Sequence, residues 1–258
     1  MRRLCSLLAA LLLVLVAAGG AGAPTLEEIR RRGYLSVAST CANAPFSLVN
    51  ERNECVGFDM DVARLVAAEI GVEPRWVKLD WRGILPGLLA RQFDLVAAAV
   101  TITPERAAAF AFTQPYGYDD VAIVVPNRDA AIRGWDDLRG RVVATGTGSI
   151  GETVARQHPG YRELRTLAGH PEVMLELMTG RADAAVAGLA ATLHFIQLRH
   201  APLRIEAQGD NVGLKALVAR REGSEELLAA ADRAIARARA DGTYERLFRR
   251  WFGADPVR

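Results

Sequence analysis

The stretch Asp94 to Arg106, D-L-V-A-A-A-V-T-I-T-P-E-R, constrains the fold more than any other. Its first half is a short apolar run without polar alternation, the pattern of a strand covered on both faces of a parallel sheet. The second half changes character at once. Thr103 can cap a helix, Pro104 has the fixed φ of a first helical position, and Glu105 suits the positive helix end. A buried strand that turns directly into a helix is the unit of open α/β sheets, which bind ligands at the carboxyl ends of their strands. Thr101 and Arg106 lie at that end, where a hydroxyl, backbone N–H groups and a guanidinium can clamp a carboxylate. By itself the corner also fits an ordinary capped helix whose Arg106 pairs with a surface acid.

The chain around this stretch repeats its logic. Leu26 to Arg32 reads as a short helix closed by Gly33, and Tyr34 to Ser39 as a first strand that opens into a loop, Thr40 to Phe46. Asp59 can cap a helix whose inward face is Val62, Leu65, Val66 and Ile70. Pro74 to Leu79 is a second strand, followed by a helix carrying Ile84, Leu85, Leu88 and Leu89. Between Phe110 and Val125 there is no room for a helix, so this segment reads as a crossover. Alternation then resumes, with strands at Arg141–Thr145, Leu164–Leu167 and Ala182–Ala187 and helices at Ile150–Gln157, from His170 to Gly180, and Leu189–Leu198. A second crossover runs from Leu203 to Val218 through Gln208, Gly209, Asp210 and Asn211, and two helices close the chain. Two crossovers imply two lobes, the first discontinuous in sequence: 24–118 completed by 212–258, and 119–211.

Residues 1–23 have the three-part layout of a secretory signal: Arg2 and Arg3, an apolar run from Leu4 to Ala18, and a small-residue tail. The run is close to the minimum length for a membrane span, so a retained anchor is the competing reading. The 32 basic residues of the chain, less Arg2 and Arg3, equal the 30 acidic ones, and a neutral mature chain argues against a nucleic-acid partner. Of the three cysteines, Cys5 leaves with the signal; Cys41 and Cys55 are an even pair in an oxidising compartment, which favours a disulfide over two buried thiols.

A second polar corner, Thr145-Gly146-Thr147-Gly148-Ser149, follows a strand and precedes a helix, so its N–H groups and hydroxyls could cradle an anion. It lacks the Lys-Ser/Thr of a nucleotide loop and the dinucleotide glycine spacing. Paired with the Arg106 corner across two crossovers, it describes a hinged cleft. No metal-spaced His, Cys or carboxylate group and no nucleophile motif is present, so no metal and no cofactor are expected.

The succession N-A-P-F from Asn43, G-F-D-M-D from Gly57, D-W-R-G-I-L-P from Asp80, T-I-T-P-E-R from Thr101, Q-P-Y from Gln114, G-T-G-S from Gly146, G-R-A-D-A from Gly180, and then D-G-T-Y and W-F-G, spans nearly the whole mature chain. It resembles the periplasmic polar amino-acid-binding proteins of ABC importers, extracellular solute-binding protein family 3, of the glutamine-binding type. The resemblance implies the type II two-lobe periplasmic-binding-protein fold, each lobe a mostly parallel sheet flanked by helices and joined by two crossover strands. It also implies a periplasmic location, a membrane permease as partner, and a monomer by default. Carried over residue by residue, it has Arg106 and Thr101 meet a ligand carboxylate, Ala99 offer its carbonyl to an ammonium, and Trp81 pack on the ligand. Thr147, Gly148 and Ser149 close from the second lobe.

The pattern is broken at three places. Thr40 and Gly188 stand where the family commonly carries acids, and Asn43 stands where an aromatic is often found. A buried ammonium without a counter-charge costs several kcal/mol. The ligand is therefore either a polar amino acid, the family's class, held by Ala99, Thr101 and a further acceptor, or a carboxylate lacking the amine. The competing functions are a dehydratase-like enzyme in the same cleft and an exported sensing or interaction module. For catalysis the acid–base candidates are poor: Asp80, Asp119 and Asp120 fall at the mouth or hinge, and the histidines in or beside helices.

Overall fold

The apolar runs of the sequence build the centres of two sheets. In the computed structural model, which describes residues 24–208 and 213–253, the first sheet has the order Glu73–Lys78, Tyr34–Ser39, Leu95–Thr101, Gly213–Arg220, Phe110–Phe112, with Gly117–Asp119 also pairing with Gly213–Arg220. The second has the order Glu163–Leu167, Val142–Gly146, Ala184–Gly188, Val121–Pro126, Leu203–Gln208. Every residue of Leu95–Thr101 is buried, as expected of a central strand. Its alternate residues feed two separate cores. Leu95, Ala97 and Ala99 face the helix Phe58–Ile70 and the carboxyl-terminal helices, whereas Val96, Ala98 and Val100 face Ile84 and Leu88 of Trp81–Leu89. The second sheet is covered likewise, by Val173, Met174 and Leu177 on one face and Val154 and Ala155 on the other.

The chain passes between the sheets twice, after Asp119 and again between Gln208 and Gly213. Gly209, Asp210 and Asn211 of the second crossover lie outside the described residues, as do Met1 to Ala23 with the signal layout. Glu225–Ala240 and Thr243–Phe252 return to the first lobe. There Phe248 and Phe252 meet Phe58 edge-on at centroid distances of 5.6 and 5.3 Å.

Three expectations need correction. The sheets are mixed rather than mostly parallel: in each, three strands run parallel and the strands that cross between lobes add antiparallel. The crossing segments enter their sheets from the other lobe rather than through a strand–helix–strand unit, the connection that usually sets neighbouring strands parallel. The loop after the first strand folds into a small antiparallel sheet, Ala42–Asn43, Ser47–Val49 and Cys55–Val56, tied by a Cys41–Cys55 disulfide with Cα atoms 5.5 Å apart. Asp59 is no cap. Gly57 holds that position at φ 139°, where a Cβ would lie 2.2 Å from the Phe46 carbonyl oxygen.

Candidate functional site

Arg106 reaches the cleft because the corner folds as its residue types dictate. Leu95–Thr101 ends at the turn, the Thr103 hydroxyl accepts the Arg106 N–H at 3.2 Å, and Pro104 opens Pro104–Ala109. The guanidinium donates through Nη1 to the Thr101 carbonyl at 2.8 Å and through Nη2 to the Gly148 carbonyl at 2.9 Å. Its carbon lies 5.4 Å from the Trp81 ring centroid. The second of these bonds joins the two lobes, so the corners face each other across the cleft. Burial pushes Arg106 below its ordinary value, against the opposing pull of Glu105, and the guanidinium remains a cation. Both of these partners are carbonyls, not a protein acid.

The Gly146–Ser149 corner uses its amides internally. Thr147 N–H donates to the Leu167 carbonyl at 2.8 Å and Ser149 N–H to the Gly146 carbonyl at 3.1 Å. Gly148 N–H donates to Glu152 Oε2 at 2.6 Å. The Ser149 hydroxyl caps Ile150–Gln157 by accepting the Glu152 N–H. Burial raises the Glu152 carboxyl, but the Gly148 N–H and the Arg156 guanidinium outweigh it and hold the group low. Of the amides read from sequence as an anion cradle, a protein carboxylate thus occupies one and backbone carbonyls two, and the corner meets Arg106 through a carbonyl. Gly148 sits at φ 67°, a conformation that favours glycine.

Thr40, Asn43, Trp81, Ala99, Ser149 and Gly188 line the same cleft, whose space is about 190 Å³. The Thr40 hydroxyl lies 3.4 Å from that of Ser47. Ala99 adopts φ 48° inside its strand, and its N–H donates to Asp59 Oδ2 at 2.7 Å, while the Tyr116 hydroxyl donates to Asp59 Oδ1 at 2.6 Å. The strained strand residue is therefore held from behind by a buried carboxylate.

Lys215, Asp119 and His170 also line the cleft and escaped the sequence reading of its wall. Lys215 had a usable signal, since a lysine inside the apolar run of Gly213–Arg220 is costly without a role. Its Nζ donates to Thr101 Oγ1 at 2.7 Å. Asp119, read only as a hinge residue, accepts the Ala190 N–H at 2.9 Å, and burial raises its carboxyl to about 6. His170 faces Thr192 at 3.3 Å, and burial lowers it to about 4, leaving a neutral ring. Among the described residues no group of three or more His, Cys, Asp or Glu could hold a metal ion, and no helix is long and apolar enough to cross a membrane.

Two mixed sheets, two crossings and a ligand-sized cleft bridged by an arginine define a hinged, two-lobed solute-binding protein. Residues 35–254 match the bacterial extracellular solute-binding proteins, family 3, and the chain belongs to that family. It is 32% identical over 231 residues to the L-cystine-binding protein TcyJ of Escherichia coli, covering 89% of this chain and 86% of the relative. Among solved structures, a mutant of ArgBP from T. maritima superposes with a TM-score of 0.83 at 30% identity, covering 89% of this chain and 99% of the other. The ancestral amino acid-binding protein AncCDT-1, described as a precursor of cyclohexadienyl dehydratase, superposes with a TM-score of 0.81 at 31% identity, covering 88% and 99%. The resemblance read from the motifs, and the two-lobe fold it implied, are thereby borne out.

Proposed function

We propose that this protein captures a small, amino-acid-sized carboxylate in the cleft outside the membrane and hands it, unchanged, to the permease of an ABC importer. The observation that carries the reading is the Arg106 guanidinium, set between the lobes with the Thr101 and Gly148 carbonyls at 2.8 and 2.9 Å. A ligand carboxylate entering there would exchange neutral acceptors for a charge-assisted pair and draw both lobes onto one group. Relatives named for cystine and for arginine support the size class. In this reading Thr101, Ala99, Trp81, Asn43 and Thr40 contribute from the first lobe and Thr147, Gly148, Ser149 and Gly188 from the second. The working form is a periplasmic monomer with no nucleic-acid partner.

Titration calorimetry of the purified protein against amino acids and other small carboxylates tests this. A stoichiometric ligand is expected, and Arg106→Ala should weaken it by about 2–5 kcal/mol, thirty-fold or more. Undiminished affinity in that variant would overturn the assignment.

A further inference from the structure

A polar group of the second lobe that the Arg106 clamp leaves unused is His170, whose half-buried ring lines the cleft. Its Nε2 lies 3.3 Å from Thr192 Oγ1, and the Phe195 ring stands edge-on to it at a centroid distance of 6.1 Å. Thr192 is sealed from water at 0% exposure, and its hydroxyl donates to the Gly188 carbonyl at 2.8 Å. A hydroxyl has one proton to give. Toward the ring it can therefore only accept, so Nε2 carries the hydrogen. Burial lowers the ring to about 4 and keeps it neutral, and in a neutral imidazole the second nitrogen is then a bare acceptor. Nδ1 meets no donor among the described residues, yet it is open to contact, unlike His194 Nε2, which is buried without a partner.

The surroundings sharpen what this nitrogen can accept. Glu172, in the first turn of His170–Met178, brings Oε2 to within 3.3 Å of where a Gly169 Cβ would lie, so the amino end of that helix is faced by the protein's own carboxylate. Asp80 stands exposed on the first-lobe wall. Lys215 offers no free counter-charge: its Nζ donates to Thr101 Oγ1 at 2.7 Å, and Asp119, Asp59 and Asp120 support its ammonium. A ligand carboxylate laid against His170 would set lone pair against lone pair among these acids, whereas an N–H or O–H would complete the hydrogen bonding of the ring. From these placements we infer that His170 is a specificity-determining residue: its Nδ1 accepts a hydrogen bond from the end of the ligand away from Arg106. The cleft then takes carboxylates whose other end carries an N–H or O–H donor and rejects those ending in a second carboxylate. This inference rests on the carboxylate reading of Arg106 and holds whether or not the ligand bears an α-ammonium.

Calorimetry with matched pairs provides the test: L-glutamine beside L-glutamate, L-asparagine beside L-aspartate, and glutaramate beside glutarate, the last pair lacking the amine. In each pair that binds, the amide should be tighter by about tenfold or more. Thr192→Val, which keeps the shape but frees the ring to carry its proton on either nitrogen, should shrink that ratio. Nitrogen NMR of the wild-type imidazole should show the proton on Nε2. An acid bound as tightly as its amide, with Arg106→Ala still weakening both, overturns the inference while leaving the transport reading intact. So does a proton found on Nδ1, or a ratio unchanged in a folded Thr192→Val. Because the wild-type ratio and spectrum stand without any variant, misfolding of Thr192→Val does not rescue the idea. Binding indifferent to Arg106→Ala, or none across the panel, counts against the carboxylate reading itself and removes the inference with it.

Discussion

Two carboxyl groups in this protein are buried deeply enough to change how it responds to acid. Asp59 is fully buried with two donors, and Asp119 is nearly so. Desolvation lifts each from 3.8 to about 6, against the pull of those donors and of Lys215. Between pH 4 and 6 the native state consequently binds more protons than the unfolded chain. The stability these groups contribute is full below about pH 4 and falls as pH rises through about 6. Urea unfolding of Asp119→Asn, whose amide oxygen can still accept the Ala190 N–H, should show a flatter profile over that window. The difference should be on the order of 1–3 kcal/mol, and parallel profiles for wild type and variant would refute it. At this scale the sequence is partly readable. Arg106 announces itself because strand, cap and proline precede it directly in the chain. The Lys215–Thr101 contact does not, because its partners are 114 residues apart and only the sheet register brings Lys215 opposite Thr101.

Helix placement in the second lobe depends on close approach to the sheet. Gly151, in the first turn of Ile150–Gln157, has no room for a side chain: a Cβ would lie 2.6 Å from the Val186 carbonyl oxygen and 2.9 Å from Thr145 Oγ1. The Thr145 hydroxyl itself donates to that carbonyl at 2.9 Å. Gly151→Ala should push the helix, and with it the Ser149 cap and Gly148 carbonyl, away from the sheet, at a cost of about 1–3 kcal/mol. A thermal melt indistinguishable from wild type would show that the sheet yields. Helices such as Phe58–Ile70 and His170–Met178 were legible because their apolar spacing is strong. The short meander between Cys41 and Cys55 was not, since two- and three-residue strands carry no periodic signal and depend on pairing and on the disulfide. Strand direction was misjudged for a related reason. The crossing segments are apolar like their neighbours, and only their connections decide which way they run.

At the scale of the whole molecule, the disulfide is the one covalent tie beyond the backbone among the described residues. It closes a loop of 14 residues, worth about 3 kcal/mol by chain-entropy arguments. Reduction should lower the melting temperature measurably, and an unchanged midpoint under reductant would contradict it. The two-lobe plan was legible because two helix-free crossings interrupt a long βα alternation. The closed facing of Arg106 and Gly148 was legible only as a possibility, since no local pattern sets the angle of a hinge. That plan also fixes a timetable. Strand Gly213–Arg220 lies inside the first sheet, between Leu95–Thr101 and Phe110–Phe112, and Phe248 and Phe252 complete its core, whereas the second sheet is drawn from one unbroken segment, 121–208. A nascent chain lengthening from its amino end must therefore finish the later lobe before the earlier one, and its first hundred residues wait unassembled for the last forty. Chains stopped after residue 212, short of strand Gly213–Arg220, should yield a protease-resistant core containing 121–208 and a degraded amino-terminal portion, and resistance of the amino-terminal portion would reverse the order.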